Sequence, residues 1–151
     1  MTQFDTFKGQ DGMLLLGRVL LALLFLIFGL QKLDYSGTVQ YMIHVGLPLP
    51  NLAALVALVM ETIVPLALII GVATRPLALL LAVYTAATAV IAHHYWTMTG
   101  MDRFANEINF YKNVSIIGGL VLLYVTGPGR YALESWWHGR RANGAAAQHH
   151  G

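Results

Sequence analysis

Cysteine is absent from all 151 residues. That removes thiol–disulfide exchange and iron–sulfur ligation from anything this chain does alone. Charge is scarce too: Asp, Glu, Lys and Arg make up 11% of the residues, against about 25% in soluble domains. With 57% hydrophobic residues, too little polar side chain remains to cover a water-soluble globule of this size. No single sign of charge dominates, since nine Lys and Arg face seven Asp and Glu for a net charge of +2. Nucleic acid is therefore not an expected partner. The lipid bilayer is.

Four apolar runs fill most of the chain, at residues 13–33, 52–73, 76–96 and 108–127. Each approaches the roughly 20 residues that cross a bilayer as a helix. The expected fold is an all-α membrane protein, a four-transmembrane-helix antiparallel bundle, forming a single domain over residues 1–141. The stretch 142–151 reads as a disordered tail. No small-x-small cleavage site follows the first run, where Gln31-Lys32-Leu33-Asp34-Tyr35 stands, so that run is expected to be retained. Lys8, Arg18, Arg75, Arg130, Arg140 and Arg141 fall on one side of such a bundle, and Lys32, Arg103 and Lys112 on the other. This split points to a multi-pass inner-membrane protein with N-in and C-in topology.

The connections read as loops at 34–51 and 97–107, with a tight turn from Gly71 to Pro76. Gly71 can close one helix and Pro76 open the next, giving an antiparallel hairpin. Gly127-Pro128-Gly129 stops the last run. Beyond it, residues 130–141 form a basic segment with Trp136 and Trp137, suited to the headgroup level.

Glu61 lies near the middle of the second run, where a charge costs roughly 2.5–3.5 kcal/mol to insert. Such a residue is expected to face the bundle interior and to hold a partner. Spacings of three and four put Arg18, Ala22, Phe25, Gly29 and Lys32 on one face, and Ala54 and Ala57 on the face of Glu61. Ala78, Ala82, Ala86, Ala89 and His93 make a third stripe. Gly118 and Gly119 mark a close approach on the last helix. If every run is centred on one plane, Arg18 sits roughly 7 Å to one side of Glu61 and Lys112 roughly 7 Å to the other. Lys32 and His93 then fall near the outer interface. Outward from Glu61 runs a polar path through Lys112, Asn113, His93, Gln31 and Lys32. The expected site therefore has Glu61, His93 and Lys112 as its proton-handling groups and Arg18, Gln31, Lys32 and Asn113 as its binding groups. A register-fixing buried ion pair explains the same charges without a ligand.

The order and spacing of several short segments resemble the DoxX family of small bacterial and archaeal inner-membrane proteins. They are Arg18 with the apolar run into Gly29-Leu30-Gln31-Lys32-Leu33, then Glu61, Gly71-Val72-Ala73-Thr74-Arg75, and His93. Phe110-Tyr111-Lys112-Asn113 before Gly118-Gly119 follows, and finally Gly127-Pro128-Gly129-Arg130-Tyr131-Ala132-Leu133-Glu134. Where the family often closes with Ser-Leu-Asp, this chain has Ala132-Leu133-Glu134. The resemblance implies a four-helix bundle and a redox association, because family members occur as a subunit of thiosulfate:quinone oxidoreductase and beside other oxidoreductases.

The leading functional expectation is a quinone-linked subunit of a membrane oxidoreductase system. A quinone needs an apolar slot, hydrogen-bond donors and a proton source at its carbonyls, which Glu61, His93, Lys112 and Asn113 can supply. Phe25, Phe28, Phe110 and Tyr111 can wall the slot. Histidine as a class changes charge near neutral pH and can relay protons. Electrons would come from a soluble or membrane redox partner. Two other classes fit the same residues. One is a carrier for a small solute or proton, which with four helices and no inverted repeat would need a homo-oligomer. The other is a scaffold recruiting soluble redox enzymes through 130–141. No resident metal is expected. Met42, His44, His93, Met98 and Met101 are soft enough for copper(I) but lack a ligating spacing.

Overall fold

The computed structural model describes residues 9–137. Five helices of ten residues or more follow in order among the described residues: α1 Gln10–Gln31, α2 Tyr35–His44, α3 Pro50–Ile70, α4 Thr74–Ala92 and α5 Gly100–Thr126. A single 3₁₀ turn, Tyr95–Thr97, links the last two. Four of these are long and apolar enough to cross a membrane, α4 together with the turn that follows it. The fold is all-helical, as the four apolar runs imply. The N-terminal residues 1–8, the basic residues of 138–141 and the tail 142–151 lie outside the described residues.

Helices α1 and α4 run one way, α3 and α5 the other. One end of the bundle, the terminal end, gathers the start of α1 and the finish of α5. There the Arg130 amide donates to Asp11 Oδ1 at 2.8 Å. At the other, the loop end, α1 and α4 finish and α3 begins. Helix α1 packs along α3, and α4 along α5. The seam between them is Ala22, Phe25, Met60, Val64, Leu68, Ala78, Leu81, Ala82, Ile116, Leu120 and Leu123. Small residues on it let the helices close up. The face carrying Arg18, Ala22, Phe25 and Gly29 is buried as its spacing implies. In α4 the buried face is Ala78, Leu81, Ala82, Thr85 and Ala89, while Ala86 points outward. On α5, Gly119 meets Leu21, whereas nothing approaches Gly118.

The stretch 34–51 is not a loop. Helix α2 occupies Tyr35–His44, its first turn capped by Asp34, whose Oδ1 accepts from the Gly37 amide at 3.1 Å. It lies on α3 and buries Met42 against Ala54 and Ala57. Ten residues are too few to span, so a search for 20-residue runs passes over it. Helix α5 likewise starts eight residues before the apolar run at 108, because Asp102, Arg103 and Glu107 sit on its exposed outer turns. The hairpin between α3 and α4 is as tight as expected. Gly71, at φ 79°, ends α3 with its own amide and that of Val72 bonding back to Ala67.

Candidate functional site

Arg18 does not approach Glu61. It is 1% exposed at the terminal end, where its guanidinium donates to the carbonyls of Pro128 at 2.5 Å, Tyr131 at 2.6 Å and Ile69 at 3.2 Å. The segment after α5 folds back over this end. The Glu134 amide donates to the Gly71 carbonyl at 3.1 Å, and Glu134 Oε1 accepts from the Thr74 amide at 3.2 Å. Arg18 therefore serves the fold. It gives charged donors to three carbonyls that no helix or strand satisfies.

The partner of Glu61 is Lys32. Its Nζ donates to Glu61 Oε2 at 2.6 Å, while the Tyr84 hydroxyl donates to Oε1 at 2.6 Å. This pair forms because the helices are not centred on one plane. Arg18 lies level with Ile69, and Gly29 level with Glu61. Helix α1 is thus displaced toward the terminal end, and its last residues fall beside the middle of α3. Lys32, placed near the outer boundary by residue counting, comes down to mid-depth. Two further features permit the approach. Pro65 has no N–H to bond the carbonyl four residues back, which is that of Glu61. At that carbonyl α1 presents Gly29, and a side chain there would overlap the Glu61 backbone.

Around the carboxylate lies a cavity of about 480 Å³, within the range of small-molecule sites. Every helix contributes to it. Leu24, Phe25 and Phe28 come from α1, Val56 from α3, Ile91 from α4 and Ile116 from α5, making apolar walls. Tyr41, Met42, Val45 and Leu47 close it from the α2 side. Burial, and then the Glu61 carboxylate, push the Tyr41 hydroxyl above the usual phenol range. It stays protonated and able to donate. Besides Lys32, Glu61 and Tyr84, further polar groups line the cavity. His93 Nδ1 lies 2.9 Å from Asn106 Oδ1. Lys112 Nζ donates to Asn109 Oδ1 at 2.8 Å and sits 5.5 Å from the centre of the Phe28 ring. Asn113 lines the cavity with no side-chain partner among the described residues.

Of the residues singled out from sequence, Glu61, His93, Lys112, Lys32 and Asn113 line this one cavity. Gln31 is exposed outside it, and Arg18 is at the other end. Phe110 and Tyr111 are not wall residues either. With Tyr95 and Trp96 they form an edge-to-face aromatic cluster beside it. The structure adds Tyr84 and Tyr41 to the cavity wall and Asn106 as the partner of His93. Tyr84 did carry a signal, since a hydroxyl at mid-depth in an apolar helix must find a partner. His44, Met98 and Met101 do not line the cavity.

Glu61→Gln is expected to cost about 1–3 kcal/mol, the penalty for leaving Lys32 without its counter-charge. Thermal unfolding in detergent reads it. Adding Lys32→Met to that variant should restore part of the loss. No recovery would mean that the two side chains act separately.

Fold and cavity together define a membrane protein with four helices of spanning length and a ligand-sized cavity lined by both apolar and polar side chains. The chain belongs to the DoxX family, whose model matches residues 13–94. It is similar to the inner membrane protein YphA of Escherichia coli K12, 48% identical over 132 residues, 87% of this chain and 94% of that protein. The inner membrane protein YqjF of the same organism is 34% identical over 128 residues, 84% and 93% of the two chains. No solved structure matches the chain significantly.

Proposed function

We propose that this chain is the quinone-binding membrane subunit of an oxidoreductase system, with the cavity as the ring site. The observation that carries the reading is the cavity's two-part lining. Leu24, Phe25, Phe28, Ile91 and Ile116 offer apolar walls, and Lys112, Asn113 and His93 offer polar groups in the same cavity as the Lys32–Glu61 pair. That is the arrangement a carbonyl-bearing ring requires. A bound quinone would supply the two-electron chemistry. The chain's own residues would hold the ring and direct Lys112 and Asn113 at a carbonyl. Electrons would come from a soluble or membrane partner. With both termini inside the cell, the cavity lies in the outer half of the bilayer.

A carrier is less well supported, because Glu61 is already bonded at both oxygens and offers no free mid-depth carboxylate. The test is quinone retention. Wild-type protein purified in mild detergent from a quinone-rich membrane should hold about one quinone per chain by mass spectrometry. Thr88→Phe, which projects a ring from the α4 wall into the cavity, should hold at least tenfold less while unfolding at a similar temperature. Equal trace amounts in both would remove the quinone reading.

A further inference from the structure

Charge in the cavity does not balance. Lys32 and Glu61 cancel each other, and Tyr84 takes the second carboxylate oxygen. Lys112 is left over. Its contacts, the Asn109 amide oxygen and the Phe28 ring, are both neutral. The other carboxylates of the described residues do not reach it. Asp11 accepts from the Arg130 amide and Glu134 from the Thr74 amide, both at the terminal end. Asp34 caps α2. Asp102 and Glu107 stand on the outer turns of α5 and make no ion pair with Lys112.

The Lys112 side chain reaches one turn back along its own helix, where its ammonium donates to Asn109. From there the ammonium also lies over the Phe28 ring of α1, and the residue lines the cavity. Next to it in sequence is Asn113, whose carboxamide has no partner among the described residues. His93, held at Nδ1 by Asn106, lines the same cavity. An ammonium at such depth without a counter-charge is costly. Something of opposite sign is needed, and the cavity that Lys112 lines is large enough to admit it.

We infer that the ligand itself is the counterion: an apolar ring or chain carrying one ionised oxygen acid, paired with Lys112 and hydrogen-bonded by Asn113. This rests on reading the cavity as a quinone-type ligand site and adds the ligand's charge to it. Uncharged and charged molecules of the same shape are then discriminated by the charge-assisted bond to Lys112, worth about tenfold in affinity.

Equilibrium dialysis of the full-length protein in nonionic detergent tests this with matched probes. These are 2-hydroxy-1,4-naphthoquinone, ionised at pH 7, its uncharged 2-methoxy analogue, and laurate as an acid without a ring. The hydroxy compound should bind about tenfold more tightly than the methoxy compound. Lys112→Gln should abolish the difference and Lys112→Arg should keep most of it. If the two ring compounds bind alike and Lys112→Gln changes neither, the anion assignment is overturned while the quinone reading stands. If laurate binds in a Lys112-dependent way and neither ring compound does, the anion assignment stands and the quinone reading falls. Should none of the three bind, both are wrong.

Discussion

Replacing Gly29 by alanine should break the bundle at its centre, although the change adds one methyl group. The new Cβ would overlap the Glu61 carbonyl and approach the Thr62 side chain. Backbone, unlike the end of a flexible side chain, cannot swing away. Helices α1 and α3 would have to separate along the seam that holds Phe25 and Met60, and Lys32 would lose its reach to Glu61. Overpacking of this kind costs about 1–3 kcal/mol and sometimes more, and here the ion pair is lost on top. The expected result is a fall in thermal unfolding temperature and a loss of monodispersity in detergent. Gly17→Ala on the same helix is the control. Nothing lies within 4 Å of its added Cβ, and alanine is favoured over glycine in a helix by about 1 kcal/mol. Equal stability of Gly29→Ala and Gly17→Ala would show that α1 and α3 do not meet at Glu61.

Arg18→Met carries the second large effect, at the opposite end. It removes the donor from three carbonyls, those of Ile69, Pro128 and Tyr131. Leaving a buried acceptor without its donor costs about 1–3 kcal/mol, and three are stranded together here. The segment after α5 would then lose its anchor. Protease should cut near Arg130 in the variant and not in the folded wild type, and the unfolding temperature should drop. Arg18→Lys should rescue little, because a single ammonium cannot serve three carbonyls in a fan as a guanidinium does. Wild-type protease resistance in Arg18→Met would contradict this role.

These two positions also show where the sequence could be read and where it could not. The stripe from Arg18 through Ala22, Phe25 and Gly29 was visible from spacing alone, because an α-helix repeats every 3.6 residues. So was the need of Glu61 for a partner, since a lone charge at mid-depth is costly. Which cation supplied it was not visible. Counting residues assigns depth only if every helix is centred on the same plane, and α1 is displaced along α3. That displacement moved Lys32 to Glu61 and Arg18 away from it. Its cause lies partly in Pro65, which leaves the Glu61 carbonyl open to Gly29, and no hydropathy pattern reports such a backbone feature. Helix α2 is hidden in the sequence for a different reason. At ten residues it carries no spanning signal. Yet it supplies Tyr41 and Met42 to the cavity. The polar wall was found because Lys112, Asn113 and His93 are conspicuous in apolar surroundings. Tyr84 and Thr85 look ordinary in the same surroundings.

The most direct test of the account is to photolabel the purified protein with an azidoquinone and map the modified residues by mass spectrometry. The label should fall on cavity residues of several helices at once, such as Phe28 on α1, Tyr41 on α2, Thr88 on α4 and Asn113 on α5. Excess unlabelled quinone should compete it away. Labelling spread over lipid-facing positions such as Leu20, Val83 and Leu122, unaffected by competitor, would contradict a quinone site in this cavity.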